Sequence, residues 1–186
     1  MAVRPVLTLG NPLLREVARD LEIEELRTPW FHRLVEDMVE TMHHEEGIGI
    51  AAPQIGESVQ VAVVEIPVDS ERYPGHEPFA TAIFVNPRIT VLDETEQGFW
   101  EGCLSVPNLR GYVERPRHIR IDYLNLDGHP RSLEAEDFLA TVFQHELDHL
   151  SGVLYVDRVR DMRKLATIDD YVRFWRDQDG EEELPD

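Results

Sequence analysis

The segment Gln144-His-Glu-Leu-Asp-His-Leu-Ser-Gly152 decides the reading of this chain. It contains His145-Glu146-x-x-His149. On a helix, positions i and i+4 share one face, so both imidazoles reach a single metal ion. The carboxylate directly after the first histidine is then placed to handle the proton of a water activated by that ion. Working outward, Phe138, Thr141, Val142, His145 and His149 follow i, i+3, i+4, i+7 and i+11. That spacing turns the histidines toward the core rather than toward water. Buried imidazoles need partners, and a metal supplies one for each. The pattern predicts a helix over 135–150, closed at Gly152 by a left-handed cap.

Upstream, Thr28-Pro29 offers a capping hydroxyl and then proline at the first helical position. Phe31, Leu34, Val35, Met38 and Met42 recur at helical spacing, predicting a helix of about four turns that runs to near His44. Gly47 and Gly49 are expected to stop it. A shorter amphipathic stretch over 13–18 follows Asn11-Pro12. Then the period changes. Residues 59–66 are β-branched and apolar, the pattern of a buried strand, and 67–78 read as an excursion from the sheet. Short strands are predicted over 83–85, 89–92, 111–114 and 118–124, with a hairpin turn at Asn125-Leu-Asp-Gly128. A third helix is expected over 162–176.

Helices interleaved with hairpin-type strands indicate an α+β fold. Small antiparallel sheets should pack around the central helix that carries the His-Glu-x-x-His motif, with flanking N- and C-terminal helices. Residues 1–176 are read as a single catalytic domain. Residues 177–186 are read as an acidic, disordered tail.

The 186 residues can bury a core, and 42% hydrophobic with 30% charged residues is ordinary for a globular chain. A formal charge of -19 argues against DNA or an anionic membrane as partner. Cys103 is the only cysteine, so no intrachain disulfide forms. No apolar run approaches the roughly 18 residues of a membrane span, and the N-terminus lacks the apolar core of a signal peptide. The expected location is the cytoplasm.

A catalytic metal site of this kind takes three protein ligands and leaves a position open. No histidine follows His149, so the downstream third ligand of the metzincin peptidases is missing. The remaining candidate is Cys103, in Glu101-Gly-Cys-Leu-Ser105. Most lone cysteines are small buried hydrophobes, but flanking Gly102 and the lack of any other thiol favour ligation, and the residues alone leave both readings open.

Three segments together resemble a known family, peptide deformylase. They are Gly47-Ile-Gly-Ile-Ala-Ala-Pro-Gln54, Glu101-Gly-Cys-Leu-Ser105 and Gln144-His-Glu-Leu-Asp-His149, in that order, and the resemblance extends over about 6–156. Gly98-Phe-Trp and Gly111-Tyr-Val-Glu-Arg-Pro look like the form found in organelles and some bacteria. The resemblance implies one divalent metal on Cys103, His145 and His149, with Glu146 as general acid and base. Ferrous iron is the ion it implies, with zinc, nickel or cobalt as alternatives; ligand chemistry alone favours zinc.

The implied substrate is an N-formylmethionyl peptide or nascent chain. By the same resemblance the Gln54 side-chain amide and the Leu104 backbone N–H receive the charge that builds on the formyl oxygen. Ile48, Gly49, Phe99, Glu101, Gly102 and Val142 are expected at the substrate, with Thr141 beside Val142. Spacing alone also allows Thr141 and Val142 as plain core. Glu101 and Arg115 are expected either as a buried pair or at the surface. His43 and His44 read as a solvated helix end, and His32, His76, His118 and His129 receive no role.

The rival readings are an amidase acting on free peptides and a binding protein that has lost catalysis. Every motif position is intact, which argues against the second. A transient ribosome contact is also considered, but Arg163, Lys164, Arg173 and Arg176 are offset by Asp161, Asp169, Asp170 and Asp177.

Overall fold

The computed structural model describes residues 2–68 and 76–176. The expected acidic tail and positions 69–75 of the excursion lie outside the described residues.

Thr28 Oγ1 accepts from the Phe31 N–H at 3.2 Å and Pro29 opens helix α1, Pro29–His44. Its termination differs from expectation. Glu46, not a glycine, adopts the left-handed conformation (φ 54°), and the Gly47 N–H closes on the Met42 carbonyl at 2.9 Å. Among the described residues six strands follow: β1 Gly49–Ala51, β2 Val61–Ile66, β3 Phe79–Cys103, β4 Val106–Leu124, β5 Pro130–Glu136 and β6 Leu165–Thr167. All pair antiparallel in the order β1-β2-β3-β4-β5, with β6 joined to β4. Helices α2, Asp137–His149, and α3, Ile168–Phe174, complete the α+β architecture.

Why β2 reads as an unbroken apolar run becomes clear in the packing. Val61 and Val63 pack with Phe31, Leu34, Met38 and Met42 of α1. Ala62 and Val64 pack with Ala140, Phe143 and Leu147 of α2. With a helix on each face of the sheet, both sides of the strand must be apolar. The motif helix is thereby held centrally.

Three expectations need correction. The short strands predicted over 83–124 are pieces of one long hairpin, β3–β4, whose register shifts between Val85 and Arg88, between Val91 and Glu96, and between Glu101 and Cys103. Each shift resets the inward-outward alternation, so period-2 pattern breaks where the strand does not. Second, residues 135 and 136 finish β5, Ala135 facing Ile119 and Glu136 facing His118, so α2 starts at Asp137. Third, no single helix covers 162–176. A 3-10 turn, Met162–Lys164, leads into β6, which is captured by Leu109–Gly111 of β4 before Thr167 caps the short α3. At the N-terminus a 3-10 turn, Pro12–Arg15, opens at the expected Asn11-Pro12 and overlaps the 13–18 stretch.

Both turn predictions hold. Gly152 carries φ 72° after α2, and the Asn125 side chain accepts from the N–H groups of Asp127 and His129 at 3.1 and 2.9 Å. Among the described residues no helix is long and apolar enough to cross a membrane.

Candidate active site and metal centre

Two elements supply the convergent donors. Cys103 ends β3 where the hairpin turns back to Val106, and His145 and His149 sit one helical turn apart on α2. The ligand atoms of these three lie within 4.8 Å of one another, and Cys103 Sγ stands 3.2 Å from His149 Nε2. Among the described residues no other group of three such donors forms. Burial pushes the thiol up, but His149 and His145 more than offset it and hold it well below its usual range. A thiolate with two imidazoles is a donor set that takes a divalent transition metal, so the residues fit the implied ion.

His145 is oriented from behind. Its Nδ1 lies 2.7 Å from Glu101 Oε2. A carboxylate only accepts, so Nδ1 carries the proton and Nε2 is left with its lone pair for a metal. Glu101 is itself clamped by Arg115, Nε to Oε1 at 2.6 Å and Nη2 to Oε2 at 3.0 Å. Arg115 reaches on to Asp148 Oδ2 at 2.8 Å, and Arg158 binds the same Asp148 from the surface side. Burial pushes the Glu101 carboxyl up, yet the hydrogen bonds from His145 and Arg115 outweigh it and hold it at about 2. Arg115 is only 2% exposed and Glu101 6%. An isolated carboxylate at that depth would take up a proton, so the pairing keeps Glu101 charged and offsets the cost of burying the Arg115 guanidinium. Of the two expectations for Glu101 and Arg115, the buried pair is the one observed.

Glu146 occupies the mouth of this cluster. Burial lifts its carboxyl to about 7, against the opposing pull of His145 and His149, and its Oε2 is buried without a hydrogen-bond partner. Gly49 approaches it closely. A Cβ on Gly49 would stand 2.4 Å from Glu146 Oε1, which is why glycine is needed there. Gln54, in the 3-10 turn Ala52–Ile55 that follows β1, is fixed by the end of that strand: its Oε1 accepts from the Ala51 N–H at 2.7 Å. Its Nε2 therefore faces Ser105 Oγ at 3.2 Å and Cys103 Sγ at 3.6 Å. Leu104 lies in the hairpin turn beside Cys103 and lines the same cleft.

The cleft runs between Gly47–Gly49 and the Val106–Arg110 end of β4. Next to it opens an apolar pocket lined by Ile48, Phe99, Trp100, Phe138, Thr141 and Val142, with His145 and Glu146 at its edge. The structure thus gathers Ile48, Phe99 and Val142 on one pocket. Glu101 and Gly102 also border it, but the Glu101 carboxylate is committed to Arg115 and His145, and the space beside Gly102 is filled by the Arg110 guanidinium.

Sequence reading misses several contributors. Asp148 anchors the buried charge network from inside the motif. Tyr155 stacks on His145 with 5.9 Å between ring centroids, and Ser105 receives Gln54. Neither announces itself by spacing. His43, by contrast, reaches Glu65 at 2.8 Å as part of an exposed helix end.

The profile of the family described as polypeptide deformylase matches residues 3–165. A peptide deformylase from Leptospira biflexa is 48% identical over 163 residues, covering 88% of this chain and 91% of that protein. One from Bordetella pertussis is 45% identical over 165 residues, 88% of this chain and 92% of that one. The solved class I type b peptide deformylase from Acinetobacter baumannii bound to Met-Ala-Ser superposes with TM-score 0.81 at 37% identity, covering 85% of this chain and 99% of that one. That extent of matching, over a fold whose helix and hairpin bring the three motifs to one cleft, places the chain in the polypeptide deformylase family, hydrolases that remove the N-formyl group from newly made polypeptides.

Proposed function

We propose that Cys103, His145 and His149 hold one divalent ion, ferrous iron first and zinc, nickel or cobalt as substitutes, and that Glu146 moves the proton of the deformylation. The observation that carries this reading is the Glu146 carboxyl, buried beside the donor cluster with Oε2 unpartnered. Unsatisfied buried oxygens are uncommon, and one at a cleft mouth is available for a proton. When bound, the ion supplies positive charge that acidifies water and draws electron density from a carbonyl.

The protein residues do the rest. Glu146 accepts the proton lost by the attacking water and delivers it to the departing amine, so formate and a free amino-terminal methionine leave. Gln54, its Oε1 held by the Ala51 N–H, donates through Nε2 to the oxygen on which charge builds, and the Leu104 N–H is the second donor. The methionine side chain fills the pocket of Ile48, Phe99 and Val142, and the peptide extends along Gly47–Gly49 as an added strand.

The protein acts in the cytoplasm, as one catalytic domain over 1–176, on formylmethionyl peptides or nascent chains. Ribosome docking through the C-terminal segment is disfavoured, since Arg163 is held by Asp161 and α3 opens with Asp169 and Asp170.

The test is formate release from a formyl-methionyl tripeptide by protein purified without air and loaded with ferrous iron. Turnover should collapse on chelation and return with metal. No release from protein shown to hold one ion per chain would overturn the assignment in favour of an amidase acting on free peptides.

A further inference from the structure

The family match ends at residue 165, yet the cleft does not. Ile168, three residues beyond, lines it together with Pro107, Asn108 and Arg110 of β4. It is brought there by β6, whose Leu165–Thr167 pair with Leu109–Gly111 and lay the C-terminal segment along the outer edge of the cleft wall. Helix α3 and the Trp175 that caps it then repeat an inward face at i, i+3 and i+7: Ile168, Tyr171 and Trp175 are half-buried, while Asp169, Asp170, Val172, Arg173 and Phe174 are exposed.

That inward face is docked. Tyr171 and Trp175 stand 5.2 and 5.3 Å from the Trp100 ring, centroid to centroid. Lys164 Nζ sits 4.0 Å above the Tyr112 ring, which itself contacts Trp100. Trp100 is a wall of the methionine pocket. The segment therefore braces one side of that pocket from behind and presents Ile168 to the neighbouring part of the cleft. Ile168 borders the cleft and not the methionine pocket. A side chain touching it belongs to a residue after the methionine.

We infer that Ile168 is a specificity residue of this enzyme, selecting substrates with a bulky apolar side chain in the two positions that follow the formylmethionine. The inference rests on the deformylase reading of the cleft. Beside polar Asn108 and cationic Arg110, Ile168 supplies apolar surface on the C-terminal side of that wall. Burying a leucine against it favours that peptide, and shortening Ile168 removes the advantage.

The experiment compares formyl-Met-Ala-Ala with formyl-Met-Leu-Ala and formyl-Met-Ala-Leu, using the metal-loaded full chain. At least one leucine peptide should exceed the alanine peptide about fivefold in kcat/KM, and Ile168→Ala should abolish that preference. Ile168→Arg should shift preference toward peptides with an aspartate in those positions, a gain that misfolding cannot produce. Calorimetric binding of the products Met-Leu-Ala, Met-Ala-Leu and Met-Ala-Ala reads the same discrimination without turnover. Formate release with no leucine preference, or equal losses on all peptides in Ile168→Ala, overturns the inference. No release from any formyl peptide, with product binding still discriminated through Ile168, overturns the deformylase reading and leaves the wall standing.

Discussion

Glu101 accepts from His145 Nδ1 at 2.7 Å while Arg115 grips both of its oxygens. The pair links the hairpin that carries Cys103 to the helix that carries both histidines. Arg115 on β4 closes the link by reaching Asp148, which lies on the same helix. The orientation of His145 is thus set by a buried, charge-balanced network and not by the ring's own packing alone.

Breaking that network should cost stability as well as metal. Arg115→Met leaves Glu101 and Asp148 buried with half their compensation gone, an expected loss of about 3–5 kcal/mol. For a chain of this size that lowers Tm on the order of 10 °C. Glu101→Ala should weaken metal binding about 10–100-fold by freeing the His145 ring. Thermal melts and metal titration of the two variants check this, and unchanged metal affinity in Glu101→Ala would remove Glu101 from the orienting role.

Glu146 and Cys103 should fail in different ways. Glu146→Ala is expected to keep one ion per chain and to lose about 10²–10⁴-fold in kcat. Cys103→Ala should lose the ion and the activity together. Elemental analysis beside formate release separates the two, and near-full turnover in Glu146→Ala would sink the acid-base assignment.

Gly49 offers a cleaner probe of geometry. Its added Cβ in Gly49→Ala would meet Glu146 Oε1 at 2.4 Å, so the carboxylate must swing aside. Displacements near 1 Å cost on the order of 10²-fold in rate, whereas the fold itself needs no left-handed conformation here. We expect kcat to fall by about that factor with Tm almost unmoved. A wild-type rate in Gly49→Ala would show that Glu146 has slack.

The acid limb of stability should carry a mark of Asp157. Burial pushes its carboxyl up, but Arg15 and the Leu154 N–H outweigh this and hold it below its ordinary value. A depressed folded value means the contribution is full above the unfolded value of about 3.9 and is lost as pH falls through the folded one. Asp157→Asn should therefore lower the urea midpoint near neutrality, and the gap to wild type should shrink as pH falls toward about 3. A gap that stays constant with pH would exclude this carboxylate as its source.

Much of the site was readable because its chemistry is local. His145, Glu146 and His149 sit within five residues on one helix, and Thr28-Pro29 marked α1 to the residue. What escaped was non-local. Whether 165–167 joins a helix or a strand is decided by the free edge at Leu109–Gly111, which no window around residue 165 contains. The length of β3 and β4 was hidden for a related reason: register shifts erase the alternation that a strand is recognised by. Gly49 looked like a helix stop, and its real constraint is a carboxylate almost a hundred positions away.

The salt link between hairpin and helix has a bearing on how the ion is exchanged. In small zinc modules the cation is the keystone, and withdrawing it collapses the arch. Here protein charges hold the two halves together, so the cage stands ready whether or not it is filled. A centre that has given up its ion should then be an empty socket, not a ruin, ready for a fresh ion without refolding. Selection among metals then falls to supply and coordination preference, and the scaffold acts as a reusable mount.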